Sequence, residues 1–263
     1  MSKTLRRTYA GPLEIDVCYP RVKAADAPRV RAAKKKATSE AMRRSNNIRR
    51  HTKLELQLAA NFPTAGSALV CTLTYDDEHA PKARRPSQAR RAVQADFRKF
   101  LDRMRRARKR MRLADVVAFW AIEVLTAANG RWHVHLVINN TGQDYDAIRK
   151  AWSFGREIEI EPLEISPEKD WAALASYLTK ESREVQDAES RPGLNAWSHT
   201  RNIRQPETET VIVPDDYQIE VPDNATVLLD ERRSTEYASF QVVKLRYDMP
   251  PARPAAKRKR RRR

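Results

Sequence analysis

"RWHVHLVINN", residues 131–140, sets two imidazoles one residue apart inside an otherwise apolar run. Successive side chains of a β-strand point to opposite faces, so His133 and His135 share one face. Trp132, Val134, Leu136 and Ile138 share the other, and a strand so divided predicts a sheet with one apolar side and one polar side. Two neutral imidazoles side by side are candidate ligands for a divalent cation. By itself the spacing is equally that of an ordinary histidine pair on a surface strand.

Upstream, "VVAFWAIEV" (116–124) reads as a second strand, joined to the first through "LTAANG" with an Asn129-Gly130 hairpin signal. A three-residue loop over 128–130 would place Glu123 opposite His135, diagonal to His133 and on the same face. Two nitrogens and one carboxylate would leave coordination positions open for substrate oxygens. Such a set suits Mn²⁺ or Mg²⁺ handling phosphate, with zinc also compatible.

Further out, "ALVCTLTY" (68–75) is a predicted strand with Leu69, Cys71, Leu73 and Tyr75 on one face and Val70, Thr72 and Thr74 on the other. A helix is expected from Thr38 or Ser39 to about Ala60, with Leu54 and Leu58 four apart and "NFP" as its stop. Another runs from Ser87 to about Arg112, its core stripe Val93, Phe97, Phe100, Leu101, Met104 and Met111. Its other side carries Arg91, Arg98, Arg105, Arg106, Arg108 and Lys109, a charge run that reads either as a solvated face or as phosphate contacts. A short helix near 144–153, a strand in "GREIEIEPLEI" and a helix over about 168–182 follow. On the last, Tyr177 and Lys180 neighbour each other beside the stripe of Trp171, Leu174, Ala175 and Leu178.

The 263 residues carry 51 Lys and Arg against 34 Asp and Glu, a net charge of +17, which points to a polyanionic partner, nucleic acid first. No apolar run is long enough to span a bilayer, and "MSKTLRRTYAG" predicts no secretory leader. Cys18 and Cys71 supply neither a disulfide framework nor zinc spacing. Four regions are expected: a basic arm over 1–37, a domain over 38–184, a strand and loop extension over 185–249, and a basic tail over 250–263 ending in "KRKRRRR". Trp152 and Trp197 read as core residues or base-stacking platforms, and His79 and His199 as surface residues without a role.

Taken in order, "CTLTY" (71–75), "HVH" (133–135) and "YLTK" (177–180) resemble the motifs of rolling-circle replication initiators, the HUH endonucleases. The similarity is closest to the Rep proteins of phages and plasmid-like elements related to filamentous-phage gene II protein. "AW..G" (151–155) and "SHTRNIRQPE" (198–207) also look like that group, and the resemblance covers roughly residues 40–210. It implies an α+β fold: a central antiparallel, ferredoxin-like sheet of about five strands, helices on one face, and a Tyr-bearing helix at the active-site face. Leu69, Trp120, Ile122, Trp132, Leu136 and Ile138 would form the helix-packed back. Thr72, Thr74, Glu123, His133 and His135 would form the front.

The resemblance further implies that Tyr177 attacks a DNA phosphodiester, leaving a 5′-phosphotyrosine and a 3′-OH that primes synthesis. Lys180 would stabilise developing charge, and His133, His135 and Glu123 would hold Mn²⁺ or Mg²⁺. The substrate would be single-stranded or hairpin origin DNA. Arg91, Arg98, Arg105, Lys109, Arg131, Arg201 and Arg204 are candidate backbone contacts. No G-x-x-x-x-G-K-[ST] stretch is present, so helicase and polymerase would come from the host, in a bacterial cytoplasm, with no membrane partner. A relaxase or single-tyrosine transposase would share the chemistry. A non-catalytic basic nucleic-acid-binding protein would share only the charge.

Overall fold

The computed structural model describes residues 2–21, 40–82, 86–124, 131–166, 169–179, 197–234 and 239–248. In chain order the elements are β1 (Ser2–Ala10), β2 (Leu13–Pro20), α1 (Glu40–Asn61), β3 (Ala68–Thr74), α2 (Pro86–Met111), β4 (Ala118–Val124) and β5 (Trp132–Asn139). They continue with α3 (Tyr145–Ala151), β6 (Ile158–Pro162), a helix α4 over 171–179, β7 (Ser198–His199), β8 (Glu207–Pro214), β9 (Ala225–Ser234) and β10 (Ser239–Tyr247). The fold is α+β with two five-stranded antiparallel sheets, where one central sheet was expected. Residues 39–204 form one compact unit; residues 1–38 and 205–263 form the other.

The unit spanning 39–204 is built on the sheet β6-β3-β5-β4-β7, with the HVH strand β5 in the middle. The alternation read from β5 holds: Trp132, Val134, Leu136 and Ile138 are buried in one core with Leu69, Cys71 and Leu73 of β3. Val93, Phe97, Phe100 and Met104 of α2 and Ile148 and Ala151 of α3 close that core, so α2 and α3 form the back layer. Burying each such Leu or Phe contributes roughly 2 kcal/mol.

On the front, α4 and the C-terminal half of α1 are tied together. The Trp171 indole N–H donates to the Phe62 carbonyl at 2.9 Å, and His51 Nε2 lies 3.1 Å from Ala172 O and 2.9 Å from Ser176 Oγ. Phe62 packs edge-on against Phe119, which shares its face of β4 with Glu123.

Two expectations inside this unit need correction. The hairpin pairs Glu123 with His133 and Ala121 with His135, two residues away from the predicted register. Because a strand's side chains repeat every two residues, the even slip keeps Glu123 on the imidazole face. Arg108 does not belong to the solvated face of α2. It is buried, and its guanidinium donates to Asp144 Oδ1 (2.9 Å), Asn139 Oδ1 (2.7 Å) and Asn139 O (2.6 Å). One side chain thereby pins the end of α2 to the end of β5 and the start of α3.

The other unit replaces much of the expected arm with structure. β1 and β2 pair through a tight turn at Gly11, whose φ of 58° lies in the left-handed region that favours glycine. Their sheet has the order β8-β1-β2-β10-β9. "SKTLRRTYA" looks polar because one of its faces is satisfied from neighbouring strands. Arg7 Nε–H donates to Asp16 Oδ2 at 3.1 Å, and Tyr247 O–H donates to the buried Glu14 at 2.7 Å. Leu5, Cys18, Val243, Leu245, Tyr247 and Ile219 form the small core beside them. Residues 22–37 and the tail from 250 lie outside the described residues. Cys18 and Cys71 are free and buried.

Candidate active site

Sheet register assembles the site before any side chain is considered. On β3, Thr74 lies across from His133 and Thr72 across from His135; on β4, Glu123 lies across from His133. The side chains complete the pairs. His133 Nδ1 and Thr74 Oγ1 are 2.9 Å apart. His135 Nδ1 is 2.8 Å from the Tyr177 phenol and 3.5 Å from Thr72 Oγ1, and the phenol and Thr72 Oγ1 are 3.1 Å apart. The other nitrogen of His135, Nε2, meets the Glu123 carboxylate, so Glu123 reaches diagonally past the residue it faces. The phenol and imidazole rings of Tyr177 and His135 meet edge-on, 4.7 Å between centres.

Tyr177 is carried there by α4, whose Trp171, Ala175 and Leu178 are buried while Tyr177 remains 43 % exposed. Those buried residues recur at helical spacing, which turns the phenol to the margin of the packed stripe.

Burial, and then the neighbouring His135, push the His133 pKa below its usual value; Glu123, Glu157 and Glu159 oppose this. At neutral pH the ring is therefore unprotonated and its lone pair is available. Burial pushes the Tyr177 phenol up. The Thr72 hydrogen bond pulls it down, and the charges of Glu123, Glu159 and Glu161 push it further up. Glu159 and Glu161 come from β6, across from Thr72 and Val70 and so on the front face. They line a cleft of about 380 Å³ beside Tyr177 that also holds Lys169 and Asp170. The phenol thus sits beside carboxylates that oppose its ionisation.

The donor chemistry suits a cation. Each imidazole turns Nδ1 toward a threonine hydroxyl, the partner that fixes ring orientation and leaves Nε2 as the ligating nitrogen. The ring centres are 6.5 Å apart and the planes 27° from parallel. Among the described residues, however, no three His, Cys, Asp or Glu side chains already converge as a ligand cluster.

The structure thus brings together Tyr177, His133, His135 and Glu123. Lys180 lies outside the described residues. The arginines do not gather at the site. Arg91, Arg98, Arg105 and Lys109 are exposed on α2, which packs on the opposite side of the sheet. Arg131 opens β5 and pairs with Glu157 at 3.0 Å, both exposed, a contact of little energetic weight. Arg201 and Arg204 follow β7, and the Arg204 backbone exchanges hydrogen bonds of 2.8 and 2.9 Å with the Asn61 side chain.

The flanking motifs have physical roles. In "AW..G", the Trp152 indole donates to the Thr74 carbonyl at 3.0 Å. A Cβ on Gly155 would lie 2.0 Å from that same oxygen, so only glycine lets the chain approach the strand that supports His133. Trp152 is therefore core. Trp197 is half-buried against Phe119 and His199. In "SHTRNIR", Ser198 and His199 pair with β4, Thr200 Oγ1 accepts from Ala118 N–H at 3.1 Å, and Asn202 reaches Val116 O at 3.1 Å, closing the sheet's edge. Sequence reasoning missed His51, whose link to α4 had no local signal. It also missed the acidic face of β6, which the alternation in "EIEIE" (157–161) does encode.

Residues 68–182 match the family model of replication-associated proteins that groups the ORF2 and gene II proteins. The matched segment runs from the first residue of β3 past α4 and contains Thr72, Thr74, Glu123, His133, His135 and Tyr177. No curated protein and no solved structure matches the chain.

Proposed function

We propose that this chain is a replication initiator of the HUH endonuclease type, a nicking and joining enzyme for single-stranded or hairpin origin DNA. Support comes from the similarity of residues 68–182 to replication-associated proteins and from the basic composition. The single observation that carries the reading is the phenol of Tyr177 at 2.8 Å from His135, one of two imidazoles on the same strand face.

In the proposed reaction the Tyr177 oxygen bonds to phosphorus, the P–O3′ bond breaks, the phenol loses its proton and the 3′ oxygen gains one. The products are a 5′-phosphotyrosine and a 3′-OH; attack by that or another 3′-OH reverses the step and rejoins the strand. A divalent cation, Mn²⁺ or Mg²⁺, held by His133, His135 and Glu123, would supply charge neutralisation at the phosphate. Thr72 and His135 orient the phenol. Ionising a normal tyrosine at pH 7 costs roughly 4 kcal/mol, three units below its pKa, and the burial and carboxylates around Tyr177 add to that. Lys180, three residues on, would offset part of it. Unwinding and synthesis would fall to host helicase and polymerase in a bacterial cytoplasm. Among the described residues no helix is long and apolar enough to cross a membrane.

Incubation with a labelled origin-strand oligonucleotide and Mn²⁺, followed by a denaturing gel, tests this. The expected result is a covalent protein–DNA band that Tyr177→Phe eliminates while DNA binding persists. No adduct from the unaltered chain, or an adduct that survives Tyr177→Phe, sinks the reading in favour of a passive basic binder.

A further inference from the structure

The helix layer behind the sheet carries a second groove that the nicking chemistry does not use. It runs between the C-terminal half of α2 and α3, encloses about 790 Å³, and includes Arg103, Arg110, Met111, Tyr145 and Lys150 in its lining. We propose that this groove binds single-stranded DNA, as a second site on the opposite side of the sheet from Tyr177. The proposal rests on the reading of the chain as a DNA-processing protein, but its readout is separate.

Three observations carry it. The first is charge without compensation. α2 has ten Lys or Arg against two Asp in 26 residues. Several of the ten are neutralised locally: Lys99 by Asp96, Arg105 by Asp102, and the buried Arg108 by Asp144. At the groove, among the described residues, Arg110 and Lys150 are exposed and have no carboxylate partner. Two cations facing one channel repel each other unless a polyanion lies between them.

The second observation is the apolar component. Tyr145 and Met111, each 41 % exposed, are both in this groove, and Ala107, Ala147 and Ala151 line it with small side chains. An exposed aromatic ring beside cations is the pairing that single strands use, the bases stacking on the ring while the phosphates meet the cations. A duplex keeps its bases stacked on each other and would leave Tyr145 idle.

The third is rigidity. Arg103 forms one wall and is held by Ala151 O at 2.9 Å and Ser153 Oγ at 2.6 Å, which joins α2 to the end of α3 and fixes the groove's width. One acid, Asp146, lines the same groove and opposes an anionic ligand.

The site predicts how a long strand binds. A strand engaged at the phenol must pass around an edge of the sheet to reach the groove. Oligonucleotides long enough to do both should bind more tightly than short ones through effective concentration.

The test is equilibrium binding of fluorescent oligonucleotides to the full chain at several salt concentrations. Tyr145→Ala should weaken a long single strand about tenfold. Arg110→Ala with Lys150→Ala should lower the log–log salt slope by about 1.4, at 0.7 per phosphate. Asp146→Asn should tighten binding severalfold, a gain that misfolding cannot mimic. Cleavage of a minimal oligonucleotide by Tyr177 should be unchanged in all three. Wild-type affinity and slope in both loss variants, or a loss confined to duplex DNA, overturns the groove as a single-strand site. Failure of cleavage with groove binding intact would instead count against the nicking reading alone.

Discussion

Each of the two sheets places charged and hydroxyl side chains on one face, and the two differ in what those groups are paired with. In the sheet formed by the chain's ends, Glu14 is capped by Tyr247 and Asp16 by Arg7, all within one face, and Glu14 and Asp16 are buried. In the β6-β3-β5-β4-β7 sheet, the threonines occupy one nitrogen of each imidazole, and the Tyr177 phenol that meets His135 stays partly exposed. The first arrangement is closed and serves stability. The second keeps capacity in reserve, which is what chemistry requires.

The sharpest way to break the comparison is His133→Ala. If the open sheet is catalytic, metal-dependent cleavage should fall by at least about a hundredfold while the far-UV circular dichroism spectrum stays unchanged. A parallel loss of helix and strand signal would put His133 with the closed, structural kind.

Asp16→Asn probes the other sheet. Burial, reinforced by Glu14 and opposed by Arg7, pushes the Asp16 carboxyl up to about 7. Between about pH 4 and 7 the folded chain then holds a proton that the unfolded chain has released. Stability from this group therefore declines as pH rises through that window and is flat above it. The asparagine variant should lose that decline and gain about 2 kcal/mol at pH 8, read from amide exchange of β2. A variant less stable at pH 8 would mean the ion pair with Arg7 outweighs the burial.

Thr72→Val is the smallest and most discriminating change. Losing the hydroxyl should slow cleavage about fivefold, the worth of one neutral hydrogen bond, and move the pH–rate profile upward because that bond favours the ionised phenol. Thr72→Ser should restore both. A slowed rate with an unmoved profile would make Thr72 a packing residue.

Much of the front face was legible because it rests on local periodicity. The period of two in "RWHVHLVI" placed the imidazoles, and the stripe from Val93 to Met104 placed α2. What escaped was long-range. The pairing partner of β1 on one side is β8, about two hundred residues later, so no window around "SKTLRRTYA" reveals why Arg7 is held. Arg108 looks like its neighbours in the basic run, and only Asp144 and Asn139, brought in by folding, set it apart. The hairpin register slipped by two because the turn, not the strands, decides it, and residues 125–130 are outside the described part of the chain. Lys180 is beyond it for the same reason.

The sheet shared by both chain ends has a consequence for biosynthesis. β2 ends at residue 20, and its partner β10 is complete only at residue 247, 227 residues afterward. At a ribosomal pace of about 5–20 residues per second, that is a wait of roughly ten to forty-five seconds. Throughout it, the two leading strands have one edge unmatched while the 39–204 unit emerges and folds. Lysine and arginine along β1 repel a like strand from another nascent chain, so the charge that makes this stretch look like an unstructured arm also guards it from premature pairing.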